Sequence, residues 1–197
     1  MDRESGEDAG RSPGLLPWPG VAGTECNQLV TLFWRSPRPA GSQQIKIMKN
    51  EFTNIFTIGF AETSASDFFE LLRRVGVQRV IDIRLRPNSQ LAGFAKQDHL
   101  EYFLKQIIGV EYIHLPMLAP TPELFNSFKR EKGSWEDYSA AFLQLMQERQ
   151  IEKELDRSIF KDGCLLCSEN QPHQCHRRLV AEYLWGKWEN VEISHLV

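Results

Sequence analysis

The segment from Cys167 to Arg178 concentrates side chains that can do chemistry. It reads CSENQPHQCHRR and holds two cysteines, two histidines, one glutamate and two arginines. A metal centre, a thiol nucleophile and an anion cradle all use residues of these types. Each interpretation makes different demands on the strands and helices around the segment.

A zinc site is the interpretation that the spacing favours least. Cys164 and Cys167 form a Cys-x-x-Cys pair, the usual start of a zinc motif, but both fall in a predicted strand. Side chains three residues apart in a strand point to opposite faces, whereas zinc pairs need a turn between them. The other candidates, His173, Cys175 and His176, fit the common ligand spacings poorly. The sequence therefore predicts no metal and no cofactor.

A reactive thiol is the second interpretation. Cys167 ends a predicted central strand, and Cys175 precedes a predicted helix whose positive dipole end, together with Arg177, would lower the pKa of that thiol. The chemistry would then be sulfur transfer or redox, with Cys167 attacking and Cys175 resolving. The alternative for each cysteine is a packing role as a small apolar residue, which is the expectation for Cys164.

An anion site is the leading interpretation. Guanidinium forks and helix N-termini suit the geometry of phosphate. The predicted anion-binding residues are Gly59, Arg84, Ser89, Cys175 and Arg177. The alternative for Arg84 is a buried ion pair with Asp82 or Glu169, because a lone buried arginine must be paired. Both can hold, since an acid can orient an arginine that still reaches a ligand.

Acid–base chemistry is predicted at the same place. Asp82 and Glu169 follow neighbouring predicted strands, and carboxylates crowded into a crevice can carry protons. The predicted catalytic residues are Asp82, Cys167, Glu169 and His176. His114 ends another predicted strand, where we expect it to be a packed strand residue.

The elements that must position these residues alternate along the chain. The apolar patterns predict strands at 54–59, 78–84, 110–115, 164–167 and 191–196. Capping signals and terminal glycines predict helices between them, including one capped by Ser64 or Ser66, one by Thr121, one by Ser134 with Asp137, and one ended by Gly186. Such alternation predicts an α/β fold with a mostly parallel central sheet of about five strands and helices on both faces. Ligands of such sheets bind beyond the carboxyl ends of the strands, where the residues above collect.

Composition limits the other classes of function. The chain has 197 residues and a net charge of −3, and no apolar run approaches the length of a membrane span. Four cysteines without a secretion signal indicate a reducing compartment, so we expect a cytoplasmic protein. The expected partner is a small anionic or nucleotide-like substrate, with no membrane contact. Nucleic acid is a possible partner that the net charge does not favour, and the oligomeric state is not predicted.

The first 47 residues differ from the rest of the chain. Residues 1–47 hold 11 of the 23 prolines and glycines and have no helical or strand periodicity. We therefore expect a disordered leader over 1–47, with Met48 as a candidate translation start. Residues 48–197 are expected to form a single α/β domain.

Four motifs give the chain a family resemblance. FTIGF, VIDIRLRPNSQLAGF, YIHLPMLAP and LLCSENQPHQCHRRLVAEYL occur in the order and spacing of the family called domain of unknown function 488. The resemblance covers roughly residues 53–185 and implies an α/β domain without an established chemistry. The positions that match the family motifs are Gly59, Asp82, Arg84, Pro87, Ser89, Tyr112, His114, Cys167, Glu169, Cys175, His176 and Arg177. The chain departs from the family pattern at Phe60 and Ala61, where a polar pair is usual, and at Ala119, where glycine is usual.

The chain is also similar to rhodanese domains, but only in architecture. Both have a strand that ends in Asp-x-Arg and a later strand that ends in a cysteine before a basic helix start. The leading functional hypothesis is thus an enzyme-like crevice for a phosphate-bearing substrate, either a nucleotide or a nucleic-acid component. Cysteine-based sulfur transfer or redox is the second hypothesis, and a non-catalytic nucleic-acid-binding module is the third.

Overall fold

The computed structural model describes residues 52–88 and 92–197. The predicted leader over 1–47, the candidate start Met48 and the predicted anion ligand Ser89 lie outside the described residues. The predictions for those positions therefore remain predictions.

A five-stranded, all-parallel sheet forms the centre of the domain. Its strands are β1 (Thr53–Gly59), β2 (Arg79–Asp82), β3 (Glu111–His114), β4 (Gly163–Cys167) and β5 (Val191–Leu196). They lie in the order β3-β2-β4-β1-β5, so β4 is central and pairs with β2 and β1. Gly59 pairs with Cys167, which places the ends of β1 and β4 side by side. The predicted fold class is confirmed.

Helices connect the strands. They are α1 (Ala65–Arg74), α2 (Gln97–Phe103, continued by a π turn over Leu104–Ile108), α3 (Pro122–Lys129), α4 (Trp135–Glu148), α5 (Ile151–Glu154) and α6 (His176–Lys187). Short 3-10 turns cover Gly93–Ala95, Pro116–Leu118 and Arg157–Phe160. None of the helices in these described ranges is long and apolar enough to cross a membrane.

The predicted helix starts are confirmed, but one predicted helix end is wrong. The hydroxyl oxygens of Ser64, Thr121 and Ser134 each accept a hydrogen bond from the backbone N–H three residues later. Helix α6, however, runs through Gly186 to Lys187 and ends where Trp188 turns to extended backbone. Gly186 does not adopt the left-handed conformation that makes a glycine end a helix.

Apolar residues cover both faces of the sheet. One core joins α1 and α2 to the sheet through residues such as Phe68, Leu100 and Cys164. The other joins α4 and α6 to it through residues such as Phe142 and Leu165. Cys164 and Cys167 thus lie on opposite faces of β4, as strand alternation requires. Because both faces are packed, the carboxyl edge of the sheet is where polar side chains from several strands meet.

Candidate functional site

A pocket of about 840 Å³ opens beyond the carboxyl ends of β2 and β4. This volume is within the range of sites for small molecules. The chain after β2, the chain after β4, the start of α6 and the side of α3 and α4 form its walls. Its lining residues are Arg84, Leu85, Arg86, Pro87, Asn88, Pro120, Phe125, Phe128, Lys129, Tyr138, Cys167, Ser168, Glu169, Gln174, Cys175 and His176.

A thiol–imidazole pair lines the part of this pocket where β4 meets α6. Cys167, 4% exposed, is the last residue of β4, and its Sγ lies 3.5 Å from Nδ1 of His176. The other ring nitrogen of His176 lies 2.9 Å from the carbonyl oxygen of Ile83. Since a carbonyl only accepts hydrogen bonds, Nε2 carries a proton and Nδ1 faces the sulfur. The imidazole of His176, the first residue of α6, is therefore held with its Nδ1 directed at the Cys167 sulfur.

The surroundings favour charge on both partners. The hydrogen bond from Cys175, then the charge and hydrogen bond of His176, hold the pKa of Cys167 well below its usual range, although burial opposes this. Burial alone would lower the pKa of His176, but the nearby Cys167 sulfur and the Ile83 carbonyl raise it above the ordinary value. Both shifts favour a thiolate beside an imidazolium, the combination in which a cysteine is most nucleophilic.

Cys175 is the third member of the group. It is 2% exposed and occupies the N-cap position of α6. Its hydrogen bond to Cys167, followed by burial, raises its pKa well above the usual value. The sequence-based expectation of a lowered pKa at Cys175 is therefore not met, because the neighbouring Cys167 sulfur and burial outweigh the Arg177 charge. One Arg177 nitrogen lies 3.7 Å from the Cys175 sulfur and opposes this rise.

Cys167, Cys175 and His176 are also close enough to share a metal ion. Their ligand atoms lie within 4.8 Å of one another, and they form the one such group of histidine, cysteine and acidic residues in the described ranges. A structural zinc site needs four protein ligands, so this group is one short.

The end of β2 carries a buried ionic cluster. Asp82 is fully buried, and Arg84, 3% exposed, donates to both of its carboxylate oxygens at 2.8 and 3.0 Å through Nε. The Tyr112 hydroxyl donates to Asp82 at 2.7 Å, and Arg84 also donates to the Ala95 carbonyl at 2.9 Å. Burial and the nearby Asp82 carboxylate raise the pKa of Tyr112, so it remains a donor. Asp82 does not line the pocket, whereas Arg84 does.

Arg177 is a buried clamp rather than a pocket residue. Its guanidinium donates to the backbone carbonyls of Glu169 and Asn170, and it is fully buried with Nε unpartnered among the described residues. Gly59 makes this approach possible, since a Cβ there would lie 1.6 Å from the Glu169 carbonyl oxygen and 2.7 Å from Arg177. Gly59 and Arg177 together fix the chain just after Cys167, and neither lines the pocket.

Glu169 lies at the exposed side of the site. Its carboxylate, 43% exposed, accepts from the Lys129 ammonium of α3 at 2.7 Å. Of the predicted catalytic residues, Cys167, His176 and Glu169 thus line one pocket and Asp82 lies behind it. His114 donates from Nε2 to the Arg84 carbonyl at 2.9 Å, so it supports the chain after β2.

Sequence reasoning missed the wall formed by α3 and α4. Phe125, Phe128 and Lys129 of α3 and Tyr138 of α4 line the pocket, and the Phe128 and Tyr138 rings stack with centroids 4.6 Å apart. Burial, followed by the Cys167 sulfur, raises the pKa of Tyr138, so its hydroxyl stays protonated. The rule that ligands bind beyond the carboxyl ends of strands cannot identify these residues. They lie on helices, and only the packing of those helices across the sheet brings them to its edge.

The family departure at Phe60 has a structural role. Phe60 is buried, and the Arg84 guanidinium carbon lies 5.1 Å from the centre of its ring. A cation over an aromatic face is an attractive contact. Phe60 therefore packs its ring against the Arg84 guanidinium and does not line the pocket.

Comparison with known proteins gives a family. The family model described as domain of unknown function DUF488 matches residues 64–184. Neither the search of curated proteins nor the search of solved structures gave a match. The matched range includes both the ionic cluster after β2 and the thiol–imidazole pair at the end of β4. The chain therefore belongs to the family of the domain of unknown function DUF488.

Proposed function

We propose that this protein is a cysteine-dependent enzyme of the sulfur-transfer or thiol-redox class. Cys167 is the attacking thiolate, His176 is the cation that maintains it, and Cys175 is the resolving thiol. The observation that carries the proposal is the 3.5 Å contact between Cys167 Sγ and His176 Nδ1 in the wall of an open pocket. For this reason we favour the thiol hypothesis over the phosphate hypothesis, which was the leading one from the sequence alone.

The first step consumes the Cys167 thiolate. Its sulfur attacks an electrophilic sulfur of the substrate, one S–S bond forms, and the substrate's leaving group departs with the electron pair of the broken bond. The hydrogen bond from Cys175 loses its anionic acceptor in this step. The main cause that raises the pKa of Cys175 therefore disappears, while the nearby Arg177 guanidinium remains.

The second step uses Cys175. Its thiol releases a proton to solvent, and the resulting thiolate attacks Cys167 Sγ. A Cys167–Cys175 disulfide forms, and the group carried by Cys167 leaves as a thiolate, or as hydrosulfide where a single sulfur atom had been transferred. Sulfur atoms of the two residues lie within 4.8 Å of each other, so little movement of the chain is needed. An external thiol then reduces the disulfide and restores the starting state.

A phosphate-bearing substrate is the second candidate. Arg84, Arg86 and Lys129 line the same pocket, and guanidinium groups suit phosphate oxygens. In this case Glu169 and His176 would carry protons and Cys167 would be dispensable. The two candidates differ in what a Cys167→Ser variant retains: phosphate binding survives it, whereas covalent chemistry does not.

The first experiment is the pH dependence of alkylation at each cysteine in the native protein, mapped by mass spectrometry. We expect Cys167 to react with iodoacetamide well below the ordinary thiol pKa of about 8.5. Cys164 is the internal control, since burial raises the pKa of its thiol and its side chain is inaccessible. A Cys167 that stays inert in the folded protein, or titrates at the ordinary value, would overturn the proposal.

A second experiment tests the resolving thiol. Mild oxidation with a hydroperoxide should convert Cys167 to a sulfenic acid, which Cys175 attacks with release of water. The expected product has lost two hydrogen masses and shows a peptide cross-link between the two residues. In a Cys175→Ser variant the sulfenic acid should instead accumulate and be trapped by dimedone. Cross-links that avoid Cys167 would contradict this order of events.

A further inference from the structure

We infer that the pocket takes an anionic sulfur compound: its sulfur meets Cys167, and its carboxylate, sulfonate or phosphate group meets Arg86. This inference rests on the thiol chemistry proposed above and names the class of substrate. It assigns anion recognition to Arg86, which follows β2 and lines the pocket.

All but one of the charged side chains that line the pocket are paired with an opposite charge. Arg84 is neutralised by Asp82 behind it, and Lys129 by Glu169 at 2.7 Å. His176 is balanced by the Cys167 thiolate at 3.5 Å. The cation left over is Arg86, which is exposed and has no ion pair among residues 52–88 and 92–197. A ligand that enters the pocket therefore meets one uncompensated positive charge.

The other candidate cations are committed elsewhere. Two of the three guanidinium nitrogens of Arg84 bond Asp82, and the third bonds the Ala95 carbonyl. The two terminal nitrogens of Arg177 donate hydrogen bonds to the carbonyls of Glu169 and Asn170, and Arg177 does not line the pocket. Arg86 therefore has the most unused hydrogen-bonding capacity of the three arginines.

The remaining wall suits the carbon part of such a ligand. Phe125 and Phe128 of α3 and Tyr138 of α4 present aromatic surface to the same cavity. A cavity of about 840 Å³ is much larger than a bare inorganic anion needs. An organic thiol, disulfide or thiosulfonate with a charged end fits this combination of thiolate, aromatic wall and single cation.

Charge-matched thiosulfonates test the inference. The Cys167 thiolate attacks the sulfenyl sulfur of CH₃SO₂–S–R, forming Cys167–S–S–R and releasing methanesulfinate. Three reagents with R = ethyl sulfonate, ethyl trimethylammonium or ethyl carry a negative, a positive or no charge. All variants contain Cys26→Ser and Cys175→Ser, so that the mixed disulfide at Cys167 is retained and is counted by intact mass. Rate constants are measured at neutral pH, at low and high salt.

We expect the sulfonate to react about tenfold faster than the trimethylammonium reagent at low salt, each measured relative to the neutral reagent. Added salt should shrink this preference, because screening weakens an exposed charge. Arg86→Gln should reduce the preference to about threefold or less. Arg74→Gln removes the same charge from an exposed position on α1, outside the pocket, and should leave the preference intact.

The outcomes separate the two proposals. If Cys167 reacts with the neutral reagent but shows no preference for the sulfonate, the inference fails and the thiol chemistry stands. A preference that survives in Arg86→Gln overturns the assignment of Arg86. If Cys167 reacts with none of the reagents, the proposed function fails and the inference fails with it.

Discussion

The ends of β2 and β4 lie side by side, and each holds a buried ionisable group, yet the two groups differ in how many hydrogen-bond partners they have. Asp82, the last residue of β2, accepts hydrogen bonds from Arg84 and Tyr112, and its carboxylate does not line the pocket. Cys167 at the end of β4 has a histidine on one side and the open cavity on the other. The first arrangement encloses the charged groups in the fold, and the second leaves a sulfur atom facing the cavity.

The difference bears on how buried charges are interpreted. Carboxylates in a crevice are common candidates for acid–base work. A carboxylate whose oxygens are all engaged by an arginine and a tyrosine has no lone pair directed at a substrate. At this sheet edge, access to the pocket identifies the candidate catalytic group better than burial does.

The largest effect is expected from Asp82→Asn. The change leaves the buried Arg84 guanidinium without its counter-ion, and breaking one side of a buried pair costs about 3–5 kcal/mol. Urea unfolding should show this loss in the free energy of unfolding. Glu111→Gln, which breaks the exposed pair with Arg79, is the control and should cost about 1 kcal/mol or less. If both changes cost the same, the contrast between the strand ends is wrong.

Gly59→Ala should come next. The added Cβ would overlap the Glu169 carbonyl, and that carbonyl cannot move without disturbing the Arg177 clamp. We expect a loss of about 1–3 kcal/mol, as for overpacked cores, together with slower alkylation of Cys167. Gly186→Ala is a matched control, because nothing lies within 4 Å of its added Cβ and alanine favours the helix by about 1 kcal/mol. Equal effects at the two glycines would show that the close approach at Gly59 is unimportant.

His176→Asn should change reactivity more than stability. A lowered pKa keeps Cys167 ionised as the pH falls below the ordinary thiol value, and the wild-type rate declines only when the pH passes through the folded-state pKa. Without the imidazolium that pKa rises, so alkylation near pH 6 should slow by about tenfold for each unit of the rise.

His114→Asn is the control for that change. His114 also donates from its ring to a carbonyl beside the site, that of Arg84, and we expect the pH profile of Cys167 to be unchanged in this variant. A pH profile that is the same in His176→Asn and wild type would remove His176 from the mechanism.

The smallest effects concern the Lys129–Glu169 pair. Exposed pairs contribute about 1 kcal/mol or less, so Glu169→Gln and Lys129→Gln should both remain close to wild type in unfolding. Their effects on thiosulfonate selectivity should be opposite: Glu169→Gln frees a cation and raises the preference for the anionic reagent, whereas Lys129→Gln frees an anion and lowers it. We expect the preference for the anionic reagent to change by about two- to threefold in each variant. Changes in the same direction would contradict the pairing of charges described for the pocket.

Much of the fold follows from patterns that the sequence displays locally. Apolar runs marked the strands, and serine or threonine caps marked the helix starts, because both depend on neighbours within a few residues. The helix end predicted at Gly186 was wrong for the opposite reason: whether a glycine ends a helix depends on its backbone conformation, which its neighbours in sequence do not determine.

The site was less accessible to sequence reasoning. The strand-end rule brought Arg84, Cys167 and His176 to one edge, but it cannot say which side chain turns toward the cavity. Arg177 and Arg84 have the same chemistry and are both buried, and only their positions relative to the cavity show that Arg84 lines the pocket and Arg177 does not. The shift at Cys175 depends on its contact with Cys167 across an intervening loop, which a helix-dipole argument for a single residue leaves out.

The two cysteines of β4 make the strand a built-in reporter of two different events. Cys167 faces the cavity, so its labelling by a thiol reagent measures chemistry in the native state. Cys164 points into the opposite core and is labelled only when the domain opens. One time course of labelling, resolved by peptide, therefore gives the reactivity of the site and the opening free energy of the domain. Variants that lower the reactivity of Cys167 can thus be distinguished in a single sample from variants that loosen the fold.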